Sequence, residues 1–490
     1  MSKLKSNIVY QTLYQVLNVC IPLVTAPYLS RVLGAEKLGV FSYYNSILGY
    51  FVLFALLGVA NYGMRSIAQC QTKEEVSKTF WEIYLFQLIS STTVVFTYAF
   101  FSLFAPLTYK VILFIQIVYL IGQALNIGWL YFGLEEYRTT VIRSIVVRLL
   151  TAACIFILIK KQDDLYCYVA ILSFGEFLSG LVLWLPVGKH LVRTKITRRG
   201  VLRHIKPNIA LFIPILAMSV YHLMDKTMLG LFDEKKESGY YYNADKLLSI
   251  PTAAVTGFGN VFLTRITALS ASSNHDEVRK TQDESIYFGL CLICAGMWGI
   301  ATIAKEFVPM YFGTEYYPCI ILAYFFCAIG IVKVISSHVR NSFLIPGEQD
   351  KVYIYSVICG VVANLFANYL LIKVYRLGAL GATLGTLIAE TVVMLAQILL
   401  MRGKEAKRHC VVGICKGTIY IAFGAVMFVS LYFIGNPTES NLWNMLIKVA
   451  IGATIYFAEC VITWKIVPSV MPRILKETLH FKLKNKLERE

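Results

Sequence analysis

Charge is what this sequence has least of. Asp, Glu, Lys and Arg make up 15% of its 490 residues, where soluble domains carry about 25%. No Walker phosphate loop occurs, so ATP does not drive this chain through a site of its own. A nucleophile elbow and a metal-ligand cluster are also missing; no catalytic residue, cofactor or metal is expected. The 12 cysteines show no secreted disulfide spacing. Cys291-x-x-Cys294 falls in an apolar run, where packing outweighs a redox or metal role. The short alternating segments of a β-barrel are missing too. MSKLKSN and the apolar run after it show no small-residue cleavage site, so a retained first helix is expected there.

What the sequence does have is apolar length. It is 57% hydrophobic, with a mean hydropathy of +0.63. Windows of 18 or more mostly apolar residues recur throughout, each long enough to cross a hydrocarbon core of roughly 30 Å. The expected fold is an all-α polytopic membrane protein with about 14 spans, near 8–29, 40–62, 80–105, 107–133, 143–160, 166–186, 207–232, 240–264, 285–308, 318–345, 352–372, 378–401, 413–434 and 443–467. The formal net charge of +17 invites a nucleic-acid reading. However, the cations crowd short loops: Lys189 to Lys206, Arg402 to Lys416, and a tail with Arg473, Lys476, Lys482, Lys484, Lys486 and Arg489. With an even number of spans all three lie on one side, which the positive-inside rule makes the cytoplasm. Both termini are therefore expected inside a bacterial cytoplasmic membrane. Membrane lipids, not nucleic acid, are the expected contacts of these charges.

The segment 27–68 is echoed about two hundred residues later. Gly39-Val40-Phe41-Ser42-Tyr43 returns as Gly239-Tyr240-Tyr241-Tyr242-Asn243, and Arg65-Ser66-Ile67-Ala68 as Arg265-Ile266-Thr267-Ala268. Further on the offset lengthens: Phe132-Gly133-Leu134-Glu135 parallels Pro346-Gly347-Glu348, and Glu176 parallels Glu390. Six spans per half insert the same way round, so a parallel-repeat transporter is expected. The expected parts are a six-helix bundle over 1–206, a second over 207–411, and two extra helices with a basic cytoplasmic tail over 412–490.

An ionisable side chain inside a span costs roughly 2.5–3.5 kcal/mol, so it normally faces protein or a wet cavity. Arg65, Arg143, Arg148, Arg265 and Arg340 group toward the cytoplasmic side, Arg31, Asp225 and Lys226 toward the outer side, and Glu176, His222, Lys333 and Glu390 near the middle. Arg31, Arg65, Arg143, Arg148, Lys226, Arg265 and Arg340 are candidates for holding an anionic headgroup in a central cavity, because a guanidinium fork matches phosphate. Snorkelling at span ends explains Arg65, Arg143 and Arg265 equally well. Glu176, His222, Asp225 and Glu390 are candidates for ion coupling, weighed against a packing role for His222 and simple neutralisation of Lys226 by Asp225. Tyr43, Tyr44, Tyr241 and Tyr242 are read as interface-belt tyrosines ahead of sugar-stacking ones. Pro22, Pro214 and Pro251 are expected to break helices.

Taken together, Ser30-Arg31-Val32-Leu33-Gly34-Ala35-Glu36, Asn61 to Ala68 (NYGMRSIA), Trp129 to Glu135 (WLYFGLE), Lys206-Pro207, Phe212-Ile213-Pro214, Met224 to Gly230 (MDKTMLG) and Gly378 to Ala382 (GALGA) resemble the Wzx-type oligosaccharide flippases, closest to those for capsule and exopolysaccharide in Gram-positive bacteria. The likeness covers roughly residues 1–400. It implies the fold of the multidrug/oligosaccharidyl-lipid/polysaccharide exporters, and as substrate an oligosaccharide on undecaprenyl pyrophosphate, moved from the inner to the outer leaflet. A polysaccharide polymerase and a chain-length regulator are the partners it implies. Asn126 stands where the pattern has aspartate, and Thr264 where it has proline. The rivals are a cation-coupled multidrug exporter, which should favour acidic span residues, and a polymerase, which should need a large outer loop.

Overall fold

A computed structural model describes residues 3–105, 108–232, 234–271 and 274–466. The basic tail with Arg473, Lys476, Lys482, Lys484, Lys486 and Arg489 lies outside the described residues. Helices fill nearly the whole of this extent, as the sequence predicts, and no strand occurs among the described residues. Among the described residues, eleven helical runs are long and apolar enough to cross a membrane, or twelve if one bent pair counts as a single span. One of them, Val19–Ala68, is 50 residues long. At 1.5 Å per residue that is roughly 75 Å, enough for two passes of a 30 Å core. The expected fourteen are compatible with this count.

By its internal contacts the chain divides into two compact units, Met1–Tyr242 and Asn243–Glu490. The first holds α1 (Lys3–Leu56), α2 (Val59–Ala68), α3 (Lys73–Phe104), α4 (Lys110–Ala124), α5 (Gly128–Gly133), α6 (Tyr137–Leu158), α7 (Leu165–Val182), α8 (Arg198–Arg203), α9 (Ile205–Leu231) and the first turns of α10 (Lys235–Ala271). The second holds the rest of α10, then α11 (His275–Tyr311), α12 (Cys319–Val339), α13 (Asp350–Asn368), α14 (Gly378–Leu400), α15 (Lys404–Gly417), α16 (Ile419–Ile434) and α17 (Asn441–Ile466).

The breaks in the first unit come from glycine rather than proline. Helix α1 continues through Pro22 and Pro27 and turns at Gly34, whose φ of 75° is the left-handed region that glycine enters at no steric cost. The second expected span, 40–62, is interrupted at Leu57 and Gly58, both left-handed. A side chain at Gly58 would meet the backbone of Asn208 and Phe212 at 3.3 Å, so the break also lets α9 approach.

Two resemblance-bearing motifs pack on each other. A Cβ at Gly63 would meet the ring of Trp129 at 2.6 Å, and one at Gly133 would meet Ile67 at 2.7 Å, so α2 and α5 interlock through paired glycines. Trp129 then donates from Nε1 to Gln87 Oε1 at 3.0 Å. Asn126, the departure from the family pattern, accepts from the Gly128 N–H through Oδ1 at 3.0 Å. Its amide oxygen thus holds the turn into α5 as a carboxylate would.

The echo at residues 39 and 239 is a physical contact inside the first unit. A Cβ on Gly39 would collide with the Lys235 carbonyl oxygen, and one on Gly239 with the Ala35 carbonyl oxygen. Each glycine thus sits over the carbonyl four residues before the other. Between the two units the likeness extends to backbone angles. Glu135 (φ 56°) and Glu348 (φ 53°) are both left-handed. Each precedes an amide that bonds five residues back at 2.8 Å, Glu136 to Tyr131 O and Gln349 to Leu344 O.

The last two helices are packed rather than appended. Both α16 and α17 lie against α11. Lys448 on α17 donates to Glu306 Oε1 at 2.6 Å and to Asn436 Oδ1 at 2.8 Å, and both charged side chains are buried. Tyr456 donates to the Cys291 carbonyl. Cys291 and Cys294 are buried free thiols.

Candidate functional site: charged groups within the spans

In the first unit, Arg31 is exposed at the end of the first limb of α1, three residues before its turn, and Arg65 is exposed on α2. Arg143 on α6 is partly covered. It donates to the Val182 carbonyl at 3.2 Å and lies over the Tyr131 ring at 5.7 Å, a cation–π placement.

Asp225 and Lys226 engage different tyrosines. Asp225 is only 2% exposed and accepts from the Tyr241 hydroxyl at 2.6 Å. Lys226 lies over the Tyr242 ring at 5.7 Å. Adjacent residues on a helix diverge, so each reaches its own ring at the start of α10. Tyr241 and Tyr242 are therefore partners of these charges as well as aromatic faces. His222 is exposed on α9.

Glu176 on α7 accepts from Gln123 Nε2 at 2.9 Å, with Arg148 of α6 as the cation nearby and Tyr119 of α4 beside Gln123. In the second unit, Glu390 on α14 is 5% exposed and pairs with Lys333 of α12 at 3.5 Å. Arg340 opens a π-helical turn, Arg340–Leu344. It donates to Asn341 Oδ1 at 3.0 Å and lies over Tyr353 at 5.6 Å. Arg265 is exposed on α10.

Three charged centres escaped the sequence reading, although the rule that flagged Glu176 applies to them equally. Glu306 and Lys448 form the buried pair already described. Glu82 on α3 is fully buried. Its Oε2 receives Arg203 at 2.7 Å and meets His204 Nε2 at 3.3 Å, and His204 Nδ1 bonds the Tyr62 hydroxyl at 2.7 Å. A Cβ at Gly200 would overlap Glu82 Oε1. This cluster fastens the basic connection between α7 and α9 onto α3 and α2. Burial holds the His204 imidazole below its usual range, the hydrogen bond to Glu82 opposes this, and the Arg203 charge adds to the lowering.

A cavity of about 520 Å³ lies in the second unit, lined by His275, Arg279, Phe343, Glu405 and His409 among others. Arg279 and Glu405 pair across it at 3.1 Å. None of the cations expected to hold a headgroup lines it.

This arrangement supplies cations that can neutralise an anion, and buried carboxylates that each have a partner, Gln123 for Glu176, Tyr241 for Asp225 and Lys333 for Glu390; among the described residues the flagged ones form no nucleophile–base pair. Comparison with known proteins gives the same direction. A family described as polysaccharide biosynthesis protein matches residues 4–263, more than half of the chain. A Shigella dysenteriae protein named as an O-antigen transporter is 24% identical over 401 residues, 80% of this chain and 98% of that protein. One of the same name from Escherichia coli strain K12 is 24% identical over 250 residues, 50% of this chain and 60% of that protein. Among solved structures, an inward-facing multidrug-resistance MATE transporter of the MOP superfamily superposes with a TM-score of 0.59 at 15% identity, covering 86% of this chain and 99% of that one, which establishes the fold. The resemblance drawn from the motifs holds, and the chain belongs to the polysaccharide biosynthesis protein family, a group of multi-pass membrane proteins that includes Wzx-type flippases on the MOP-superfamily fold.

Proposed function

We propose that the protein is a flippase for lipid-linked oligosaccharides, moving repeat units on undecaprenyl pyrophosphate from the inner to the outer leaflet of the cytoplasmic membrane. The observation that carries this is the match to nearly the full length of a relative named for O-antigen transport. The charge balance inside the spans supports it, because a pyrophosphate needs cations. In this reading Arg65, Arg143, Arg148, Arg265 and Arg340 receive the headgroup in a cationic cavity while the polyprenyl chain stays in lipid. Alternating access then passes it toward Arg31 and Lys226. The rings under Arg143, Lys226 and Arg340 orient these charges without neutralising them. A negative-inside potential favours outward movement of an anion by about 2.3 kcal/mol per charge per 100 mV. Glu176, His222, Asp225 and Glu390 are the groups available for ion coupling. A polysaccharide polymerase and a chain-length regulator would act on the product outside.

The test is translocation in proteoliposomes of a polyprenyl-pyrophosphate oligosaccharide, read by exposure of the glycan to an external glycosidase. Protein-dependent movement that fails in Arg31→Ala and Arg65→Ala supports the reading. Movement undiminished in both variants overturns the cationic path. No movement of several glycans under any ion gradient, with drug efflux in its place, would make the protein a multidrug exporter.

A further inference from the structure

The second unit contains two lysine–glutamate pairs of the same chemistry and opposite geometry. Lys448 and Glu306 are sealed: the ammonium lies 2.6 Å from the carboxylate, has Asn436 as a second acceptor, and its side chain is 8% exposed. Lys333 and Glu390 are loose and open on one side. They lie 3.5 Å apart, the lysine side chain is 32% exposed, and the glutamate is buried. Among the described residues Glu390 is the one ion-pair partner of Lys333. An ammonium carries three donors, so donors remain on the open side. The first pair has the form of a structural tie, and the second has the form of a held but available cation.

Lys333 sits near the midpoint of the span Cys319–Leu344, and Glu390 near that of Gly378–Leu400. A charge at that depth normally faces protein or a wet path. The face that carries Lys333 differs from a lipid face. Helix α13 presents Tyr355, Ile358, Val362 and Phe366 as a row of exposed large apolar side chains, as a surface in hydrocarbon does. Along α12 no residue from 322 to 344 is fully exposed, and the partly open stripe runs through Ala328, Lys333, Ser337 and Arg340. Arg340 is seven residues beyond Lys333, hence two turns along the same face and about 10 Å nearer the end read as cytoplasmic. Behind the stripe, Ser336 donates to Gln397 Oε1 at 3.2 Å. This neutral bond ties α12 to α14 independently of the ion pair.

We propose that Lys333 is a further binding residue for the pyrophosphate headgroup, taking it at mid-depth after Arg340, and that Glu390 is the positioning residue that keeps the ammonium there. A lysine stem is long and flexible, and a charge on it snorkels toward the nearest water. The carboxylate behind Lys333 holds that charge at the centre of the span, where an anion on its way across has most need of a partner. A point charge with rotatable donors suits a passing contact, because it accepts phosphate in many orientations, whereas the fork of an arginine grips in one. The inference rests on the flippase reading for the identity of the anion.

Calorimetric titration of the full-length protein in detergent with a short-chain polyprenyl pyrophosphate reads the affinity. Lys333→Met/Glu390→Leu removes both charges and strands neither. It is expected to bind about tenfold more weakly, the worth of one charge-assisted hydrogen bond. Lys333→Gln carries the same expectation and decides if the double variant does not fold. Lys333→Arg should bind at least as tightly as the parent, because a guanidinium also pairs with phosphate. Glu390→Gln should weaken binding although the cation remains; tighter binding, which loss of an opposing charge alone would give, overturns the positioning role. Lys448→Met/Glu306→Leu should bind as the parent does, and an equal loss there overturns the assignment to Lys333. Equal affinity in the parent and the Lys333 variants also overturns it and leaves the flippase reading standing. No binding by the parent protein overturns the headgroup reading and the role of Lys333 with it.

Discussion

Replacing Gly39 by alanine adds a methyl group where the backbone of α10 already lies. The new carbon would sit 2.7 Å from the Lys235 carbonyl carbon, 2.9 Å from the Gly239 nitrogen, and closer still to the Lys235 oxygen. A backbone carbonyl has no rotamer to escape into, so the helices must separate by roughly 2 Å to reach ordinary contact, an overpacking cost at the upper end of about 1–3 kcal/mol. Against this, alanine in a helix interior is favoured over glycine by about 1 kcal/mol. Overpacking wins, for a net loss of about 1–2 kcal/mol. For a unit of this size that lowers the melting temperature by roughly 2–8 °C. Thermal unfolding in detergent, followed by a thiol-reactive dye or intrinsic fluorescence, measures it. Gly299→Ala is the control, because a Cβ there meets nothing within 4 Å, and it should melt at or slightly above the parent temperature. The double variant Gly39→Ala/Gly239→Ala should lose less than the sum of the two, since helices already apart accommodate the second methyl. A Gly39→Ala protein as stable as Gly299→Ala would refute the close crossing.

Other expectations concern charge and strain. Lys448→Ala, which strands the buried Glu306 carboxylate, should cost about 3–5 kcal/mol, and Lys448→Met with Glu306→Leu should recover most of it; melting curves of the three proteins decide. The lowered His204 imidazole means the unfolded chain binds its proton first. Its contribution is therefore complete above the usual histidine range near pH 6.5 and is lost as pH falls below it. His204→Gln should flatten that acid limb of the melting profile, and an unchanged limb would count against it. Glu348→Gly relieves a left-handed conformation worth about 1–2 kcal/mol against about 0.5–1 kcal/mol of glycine entropy. The result should be a gain of roughly 0.5–1 kcal/mol in the same assay.

Apolar run length made the helical membrane class plain from sequence, and the family motifs were legible because their glycines and Trp129 serve a packing need. Helix breaks were less so. Pro22 suggested one, yet a proline inside a span is tolerated when neighbours satisfy the freed carbonyl, and the turns fall at Gly34 and at Leu57–Gly58. Which side chains the buried charges meet is invisible in a linear reading, because it requires knowing which helices are neighbours. Asp225 and Lys226 illustrate the same limit. They are adjacent in sequence, but their partners, Tyr241 and Tyr242, are fixed by how the first turns of α10 lie against α9. Glu82, Glu306 and Lys448 were within reach, since each is an ionisable residue inside an apolar run.

The pairing of Glu306 with Lys448 has a consequence for biogenesis. The two residues are 142 positions apart, so α11 is made and inserted well before the lysine that neutralises it leaves the ribosome. At about 5–20 residues per second the wait is roughly 7–30 s. During that interval Glu306 has no ammonium from α17, and the acid must be protonated, held near water at the helix end, or shielded by other parts of the insertion machinery. Arrival of the final hairpin is then the step that closes the second unit. A chain stopped after α15 would carry this uncompensated acid permanently, and membrane quality control would meet it as an unfinished protein.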